Sequence, residues 1–218
     1  MTSALVTAHA GCLDTAADSL ESVIAGIRAG ADVIEVDVRV LPDGTPVLSH
    51  DPFPVERGES LVRLEKVVEI IFSRAGVKLN MDMKEARTAA AVLPSISPLL
   101  AEKRVFATGL FPRDIPVFAH ECPGVPYAVN QPGRAVRFKT SSKLRAFVSE
   151  SKDLGAFALN LNYLFVSKRL LAACAEEGFP VFVWTVDSVR AMRRMIALGV
   201  ASITTNKVDT LMDVLRHS

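Results

Sequence analysis

The stretch VIEVDVRVLPDGTPVLSHD occupies residues 33–51 and decides the fold prediction. Its first part places aliphatic residues between polar ones, which predicts a strand over Val33–Val40. Glu35 and Asp37 are two residues apart, so on a strand their side chains point to the same face. The Pro-Asp-Gly at 42–44 is a turn signal, so we expect the chain to return as a hairpin.

Short apolar strands alternate with helical patterns along almost the whole chain. The other predicted strands are Ala4–Ala10, Lys78–Lys84, Val105–Leu110, Pro126–Asn130, Ala156–Asn162, Pro180–Val186 and Ala201–Asn206. About eight helical patterns lie between them, and the weakest falls within 111–123. Eight βα repeats predict an α/β fold with a closed parallel sheet, a (β/α)8 TIM barrel formed by residues 1–218 as a single domain. An open doubly wound sheet is the alternative, but the sequence has no GxGxxG turn that would support dinucleotide binding there.

The composition argues against several classes of protein. Hydrophobic residues make up 50% of the chain and charged residues 22%, with a formal net charge of +1, so nothing favours nucleic acid as a partner. No apolar run reaches the length of a membrane span, and the N-terminus lacks a basic, then apolar, signal pattern, so we expect no stable membrane insertion. Cys12, Cys122 and Cys174 form no CxxC pair, which favours a reduced, cytoplasmic setting over a disulfide framework or a zinc site.

Two pairs of charged residues lie at the ends of predicted strands. Glu35 and Asp37 form the first pair, and Asp82 with Lys84 repeats the two-residue spacing on the strand Lys78–Lys84. Converging carboxylates repel one another when desolvated, and Mg²⁺ or Ca²⁺ would offset that repulsion. Lys84 could then bind an anion beside the metal. The alternative is that Glu35 or Asp82 faces outward and pairs with a basic helix residue.

Two histidines are predicted at the same end of the barrel. His9 ends the first strand, and His50 follows the predicted hairpin. Imidazole suits proton transfer near neutral pH. Together with a carboxylate-bound cation and a lysine, the histidines suit a small-molecule phosphodiester substrate. One histidine would accept a proton from the attacking hydroxyl or attack phosphorus itself, and the other would protonate the leaving alkoxide.

These residues lie in segments that resemble the glycerophosphodiester phosphodiesterase family. The resemblance runs the length of the chain and is strongest in AHAG at 8–11, in residues 20–52, in LNMDMK at 79–84 and in residues 181–206. The spacing from Asp37 to His50, with the Asp-Gly turn inside it, is its most specific part.

The resemblance implies a (β/α)8 barrel that uses Mg²⁺ or Ca²⁺ to hydrolyse glycerophosphodiesters to an alcohol and glycerol phosphate. By matching motifs, His9 and His50 are the expected catalytic pair. Glu35, Asp37 and Asp82 are the expected metal ligands. Lys84 and Trp184 are the expected substrate-binding residues.

The sequence also departs from the family pattern. Ala10 replaces an arginine that would help to hold phosphate, and Ala17-Asp18-Ser19 replaces Glu-Asn-Thr. The third metal position is the shorter Asp82 instead of Glu. The additional segment that family members have after the second histidine is nearly absent after His50. Asn206 ends the last predicted strand, where the family usually has Asp.

These departures keep two alternative functions open. One is a sphingomyelinase D-like phospholipase that forms a cyclic phosphate, a branch that also tends to have Asn near the last strand. The other is a catalytically weak barrel that binds a phosphorylated ligand. Asn160 and Asn162 share a face of the sixth strand, and Asn162 either reaches the substrate or caps the next loop.

Overall fold

The sheet of this protein closes into a barrel. The computed structural model describes residues 4–52, 60–132 and 140–217. Within these residues the strands are β1 (Leu5–Ala8), β2 (Val33–Val40), β3 (Pro46–Leu48), β4 (Lys78–Met83), β5 (Val105–Leu110), β6 (Tyr127–Asn130), β7 (Ala158–Asn162), β8 (Val181–Trp184) and β9 (Ser202–Thr205). All except β3 pair in parallel, and β1 pairs with both β2 and β9, which closes the sheet. The predicted (β/α)8 barrel is therefore confirmed.

Helices connect the parallel strands. They are α1 (Leu20–Arg28), α2 (Leu64–Phe72), α3 (Leu93–Ala101), α4 (Ile115–Glu121), α5 (Ser141–Asp153), α6 (Lys168–Glu176), α7 (Val189–Leu198) and α8 (Val208–Arg216). The weak pattern within 111–123 does form a helix, α4. The Ala-rich stretch from Ala86 instead begins as a 3-10 helix, Ala86–Val92, before α3. The segment after His50, predicted to be shortened, lies largely outside the described residues.

Local chemistry explains where several helices begin and end. The hydroxyl oxygens of Ser19, Ser167 and Ser188 each accept a backbone N–H from the first turn of the helix that follows. Gly199 ends α7 with a φ of 78°, a left-handed conformation that glycine adopts without steric cost. These caps fix the points at which the chain leaves each helix for the next strand.

The predicted hairpin is present and returns the chain to the end of β2. Its turn is closed by the Leu41 N–H, which donates to the Thr45 carbonyl at 2.9 Å, and by Gly44 with a φ of 88°. β3 then runs antiparallel to β2. The Ser49 N–H donates to the Asp37 carbonyl at 3.0 Å, so the residue before His50 is tied directly to the acidic strand.

Two apolar clusters divide the interior. The larger lies between the strands and the helices, and it includes Ile34, Val36 and Val38 from the outer face of β2. The smaller cluster consists of Val33, Phe106, Ala128, Ala158 and Phe182, which lie near the beginnings of their strands. Polar residues follow on the same strands toward their carboxyl ends, as expected for an active-site face of such a barrel. None of the helices in the described part of the chain is long and apolar enough to cross a membrane.

Candidate active site

A cavity of about 270 Å³ opens at the carboxyl ends of the barrel strands. The structure brings all seven predicted site residues to its wall, and these are His9, Glu35, Asp37, His50, Asp82, Lys84 and Trp184. They come from β2, β4 and β8, from the residues that directly follow β1 and β4, and from the segment after β3. Residues distant in sequence are therefore gathered by the parallel alignment of the strands.

Three carboxylates form the most acidic part of this cavity. Glu35, Asp37 and Asp82 each offer an oxygen within 4.8 Å of the others. Asp37 and Asp82 are direct partners in the register of β2 with β4, and the Ala10 N–H donates to Glu35 Oε2 at 2.9 Å. The alternative of an outward-facing acid is therefore wrong for both Glu35 and Asp82.

Burial raises the pKa of Glu35 well above its ordinary value, and the charges of Asp37 and Asp82 raise it further. Only 6% of Glu35 and 4% of Asp37 are exposed. Buried charges that repel one another need a compensating partner. Three clustered carboxylates are a donor set that suits a hard divalent cation such as Mg²⁺ or Ca²⁺.

Lys84 lies within the carboxylate cluster. Its Nζ is 2.5 Å from Asp37 Oδ1 and also contacts Asp82 Oδ2. Desolvation lowers the pKa of Lys84, but the charge of Asp82 and the hydrogen bonds to both aspartates outweigh it, so the pKa lies above its ordinary value. The ammonium group is therefore charged and neutralises part of the acidic cluster.

His9 is held by a chain of hydrogen bonds that the sequence did not predict. Its Nδ1 lies 3.1 Å from Asn206 Oδ1 and 3.0 Å from the Ala10 carbonyl oxygen. The Asn206 amide nitrogen donates to Asp187 Oδ2 at 2.9 Å, so its oxygen faces the histidine. Because both neighbours of Nδ1 are acceptors, this nitrogen carries the proton and Nε2 is the basic nitrogen.

Asp187 anchors this chain of hydrogen bonds. Its Oδ1 accepts the Asn206 N–H at 2.8 Å and the Thr205 hydroxyl at 3.0 Å. Partial desolvation raises the pKa of Asp187, but the hydrogen bonds from Asn206 and Thr205 lower it below its ordinary value overall. Asp187 therefore stays ionised and orients Asn206, which in turn orients His9.

His50 is held through its backbone. Its N–H donates to Asp18 Oδ2 at 3.0 Å, and its carbonyl accepts from Arg39 Nη2 at 3.1 Å and Nε at 3.3 Å. Arg39 is itself paired with Glu85 at 2.7 Å. The imidazole is 66% exposed, with Nδ1 2.8 Å from Asp51 Oδ1. The ring is thus free to meet a substrate while its main chain is fixed.

The remaining polar residues of the cavity are uncharged. Asn80, Thr108, Asn130 and Asn160 lie on four successive strands, from β4 to β7. Sequence reasoning missed the first three, although each follows the inward parity of its strand. Asn162 does not line the cavity, because its Oδ1 accepts the Leu164 N–H and caps a 3-10 helix. The capping interpretation of Asn162 is therefore the correct one.

Trp184 places an indole in the cavity wall, beside Asn162 in the strand register. Its Nε1 is buried and has no hydrogen-bond partner among the described residues. A buried indole N–H ordinarily finds an acceptor. This donor is sealed from the cavity, so the indole contributes an apolar surface to the wall.

Most of this chain matches a known protein family. The model of the glycerophosphoryl diester phosphodiesterase family matches residues 9–69 and 76–210. A glycerophosphodiester phosphodiesterase of Caldanaerobacter subterraneus subsp. tengcongensis is 25% identical over 97% of this chain and 98% of its own length.

Solved structures share the fold. The glycerophosphodiester phosphodiesterase of Thermotoga maritima superposes with a TM-score of 0.79 at 20% identity, covering 98% of this chain and 99% of its own. An Oleispira antarctica phosphodiesterase, in complex with the product sn-glycerol-3-phosphate, gives a TM-score of 0.78 at 16% identity, covering 98% and 97%. With the family model matched along most of its length, this chain belongs to the glycerophosphoryl diester phosphodiesterase family, whose named members are phosphoric diester hydrolases.

Proposed function

We propose that this protein hydrolyses a glycerophosphodiester, or a related diester derived from phospholipids, with the help of a bound divalent cation. The observation that carries the proposal is the convergence of His9 and His50 with three carboxylates on one cavity wall. The phosphodiesterase of Oleispira antarctica, which shares this fold, is described with the product sn-glycerol-3-phosphate. We propose a product of the same class here.

Glu35, Asp37 and Asp82 would hold Mg²⁺ or Ca²⁺. When bound, the cation neutralises charge on the phosphate and polarises its oxygens. Lys84, charged and adjacent to Asp37 and Asp82, adds positive charge at the same place and would stabilise the transition state.

The two histidines would move the protons of the reaction. His9 keeps its proton on Nδ1, so Nε2 is available to accept or return a proton. His50 has an exposed ring on a fixed main chain and would carry the complementary role. One histidine would accept a proton from the attacking water while the other protonates the leaving alkoxide.

The proposal extends to the setting of the enzyme. We propose that residues 1–218 act as one barrel domain. We also propose that the protein works in the cytoplasm, supported by three buried cysteines that are all free.

Phosphorus NMR tests the proposed reaction. The purified protein is incubated with glycerophosphocholine, glycerophosphoethanolamine and a lysophospholipid, each with Mg²⁺, with Ca²⁺ or with chelator. Metal-dependent appearance of a phosphomonoester is the expected result. A cyclic phosphate would support the sphingomyelinase D-like alternative, in which a substrate hydroxyl attacks its own phosphorus. No turnover with either metal would favour a barrel that only binds phosphorylated ligands.

A further inference from the structure

Buried amides from β4, β6 and β7 line part of the cavity. Asn80, Asn130 and Asn160 are only 5%, 8% and 6% exposed. All three face the same cavity as the carboxylates and histidines. Buried amide groups are nearly always hydrogen-bonded, so any unpaired half of these side chains needs an explanation.

Two of these amides, Asn130 and Asn160, are fixed at one end. The Gly109 N–H donates to Asn130 Oδ1 at 3.2 Å, and the Asn160 amide nitrogen donates to the same oxygen at 2.8 Å. The backbone donor of Gly109 allows only one orientation of Asn130, and this orientation in turn fixes Asn160. Asn80 Oδ1 lies 3.0 Å from the Thr108 hydroxyl, which is also 3.1 Å from Asp82 Oδ1.

The other ends of these amides have no partner in the described part of the chain. They are the amide nitrogens of Asn80 and Asn130 and the side-chain oxygen of Asn160. Each of these three atoms keeps some accessible surface. Among the described residues, the side-chain atoms that are both buried and unpaired are Asp18 Oδ1 and Trp184 Nε1. The cavity therefore presents one fixed donor group, from Asn130, and one fixed acceptor, from Asn160, to whatever enters it.

We propose that Asn130 and Asn160, with Asn80, form a subsite that recognises the hydroxyl groups of the polyol part of the diester. A hydroxyl both donates and accepts, so vicinal hydroxyls match the Asn130 donor and the Asn160 acceptor. An ammonium group would find no carboxylate among these amides, and an acyl chain would leave them all unpaired. Thr108 links Asn80 to Asp82, which places this subsite beside the proposed phosphate position.

This inference rests on the proposed function, and its test compares two diesters with the same leaving group. Glycerophosphoethanolamine carries a glycerol, whereas propyl phosphoethanolamine carries no hydroxyl at the corresponding carbons. The native enzyme is expected to prefer the glycerol compound in kcat/KM by roughly tenfold per recognised hydroxyl. Asn130→Ala and Asn160→Ala are each expected to reduce that preference about tenfold.

The ratio of two kcat/KM values cancels the fraction of active protein, so a variant that folds poorly does not obscure the result. Asn162→Ala is the matched control, because it makes the same change on the same strand but at a residue that caps a 3-10 helix. It is expected to keep the native preference. Equal kcat/KM for the two diesters in the native enzyme would overturn the inference, as would an unchanged preference in both cavity variants.

A binding measurement separates this inference from the proposed reaction. Calorimetric titration with Mg²⁺ present compares sn-glycerol 3-phosphate with propyl phosphate. Preferential binding of sn-glycerol 3-phosphate, reduced by Asn160→Ala, would support the subsite. If neither diester were hydrolysed in addition, that result would contradict the proposed reaction and leave the subsite supported. Equal affinity for the two phosphates, or no binding of either, would contradict the subsite.

Discussion

A buried glutamate that faces two aspartates destabilises the folded protein. Glu35 is almost fully buried, and both desolvation and the charges of Asp37 and Asp82 work against its ionised form. The Ala10 N–H and Lys84 offset only part of this cost. At the scale of single residues, the barrel thus concentrates charge where an apolar interior would be more stable.

Asp37→Asn tests the carboxylate cluster. The substitution keeps the size of the side chain but removes one negative charge, so metal-dependent turnover should fall by about a hundredfold or more. The increase in Tm on adding Mg²⁺ or Ca²⁺ should shrink with it. Asp43→Asn is the matched control, since Asp43 lies in the hairpin turn, where it accepts the Thr45 N–H, and does not line the cavity. Undiminished turnover in Asp37→Asn would exclude Asp37 as a ligand.

Asn206→Ala tests the orientation of His9. Without the Asn206 oxygen, Nδ1 keeps only the Ala10 carbonyl as acceptor, so the imidazole loses part of the constraint on its tautomer and rotamer. We expect kcat to fall about tenfold to a hundredfold with little change in KM, because binding contacts remain. Lys207→Ala, which removes the neighbouring side chain paired with Asp14, should leave both constants near native values. A rise in KM with unchanged kcat would show that Asn206 binds substrate and does not position His9.

At the scale of elements, the β2–β3 hairpin does more than reverse the chain. β2 supplies Glu35 and Asp37, and the return strand delivers His50 to the same end of the barrel. Two side chains distant from His50 in sequence then hold its backbone, Asp18 from the segment before α1 and Arg39 from β2. Asp18 adopts a left-handed φ of 54°, an unfavourable conformation for a non-glycine residue that tertiary contacts maintain.

Arg39→Ala tests this backbone clamp. The variant removes both hydrogen bonds to the His50 carbonyl and the ion pair with Glu85, so His50 should sample more positions and kcat should fall about tenfold. The loss of stability should be about 1–2 kcal/mol, measured by denaturant unfolding. Glu85→Gln keeps Arg39 and its bonds to His50, so its effect on kcat should be several times smaller. Equal losses in the two variants would mean that the ion pair, and not the clamp, matters.

The elements that the sequence predicted well are those with a strong period. Alternation in residues 33–40 and 78–84 placed Glu35 and Asp82 on the inner face, because parity on a strand is fixed by backbone geometry. The clamp on His50 and the Asn206–Asp187 chain could not be predicted in this way. Their partners meet through loop conformations and strand order, which no local pattern encodes. The 3-10 start of the Ala86 segment was missed because its alanines also suit an α-helix.

At the scale of the whole molecule, the interior changes character along the barrel axis. Apolar residues fill the end where the strands begin, and amides, a threonine and the charged groups together line the cavity at the other end. Stability therefore rests mainly on the apolar layer between sheet and helices, which is where all three cysteines lie. Burial raises the pKa of Cys174 to about 12, and burial with the charge of Glu121 raises that of Cys122 to about 11.

These thiols predict a specific loss of stability at alkaline pH. In the unfolded chain a thiol ionises near its ordinary pKa of 9.0, whereas folded Cys174 keeps its proton until about pH 12. Between these values the folded state binds more protons, so the free energy of unfolding must fall as pH rises, by up to about 1.4 kcal/mol per pH unit for one such thiol. Denaturant unfolding of the native protein and of Cys174→Ala, each from pH 8 to pH 10.5, measures this contribution.

The difference between the two proteins isolates Cys174, because lysines and tyrosines titrate in both. Cys174→Ala should be less stable at pH 8, since it leaves a small cavity in the packing of α6 against the sheet. Its stability should nevertheless decline less steeply above pH 9 than that of the native protein. The native thiols should also resist a thiol reagent at pH 8 and react once the protein is unfolded in guanidinium. Parallel pH profiles, or rapid reaction of the folded protein, would show that Cys174 reaches solvent without global unfolding.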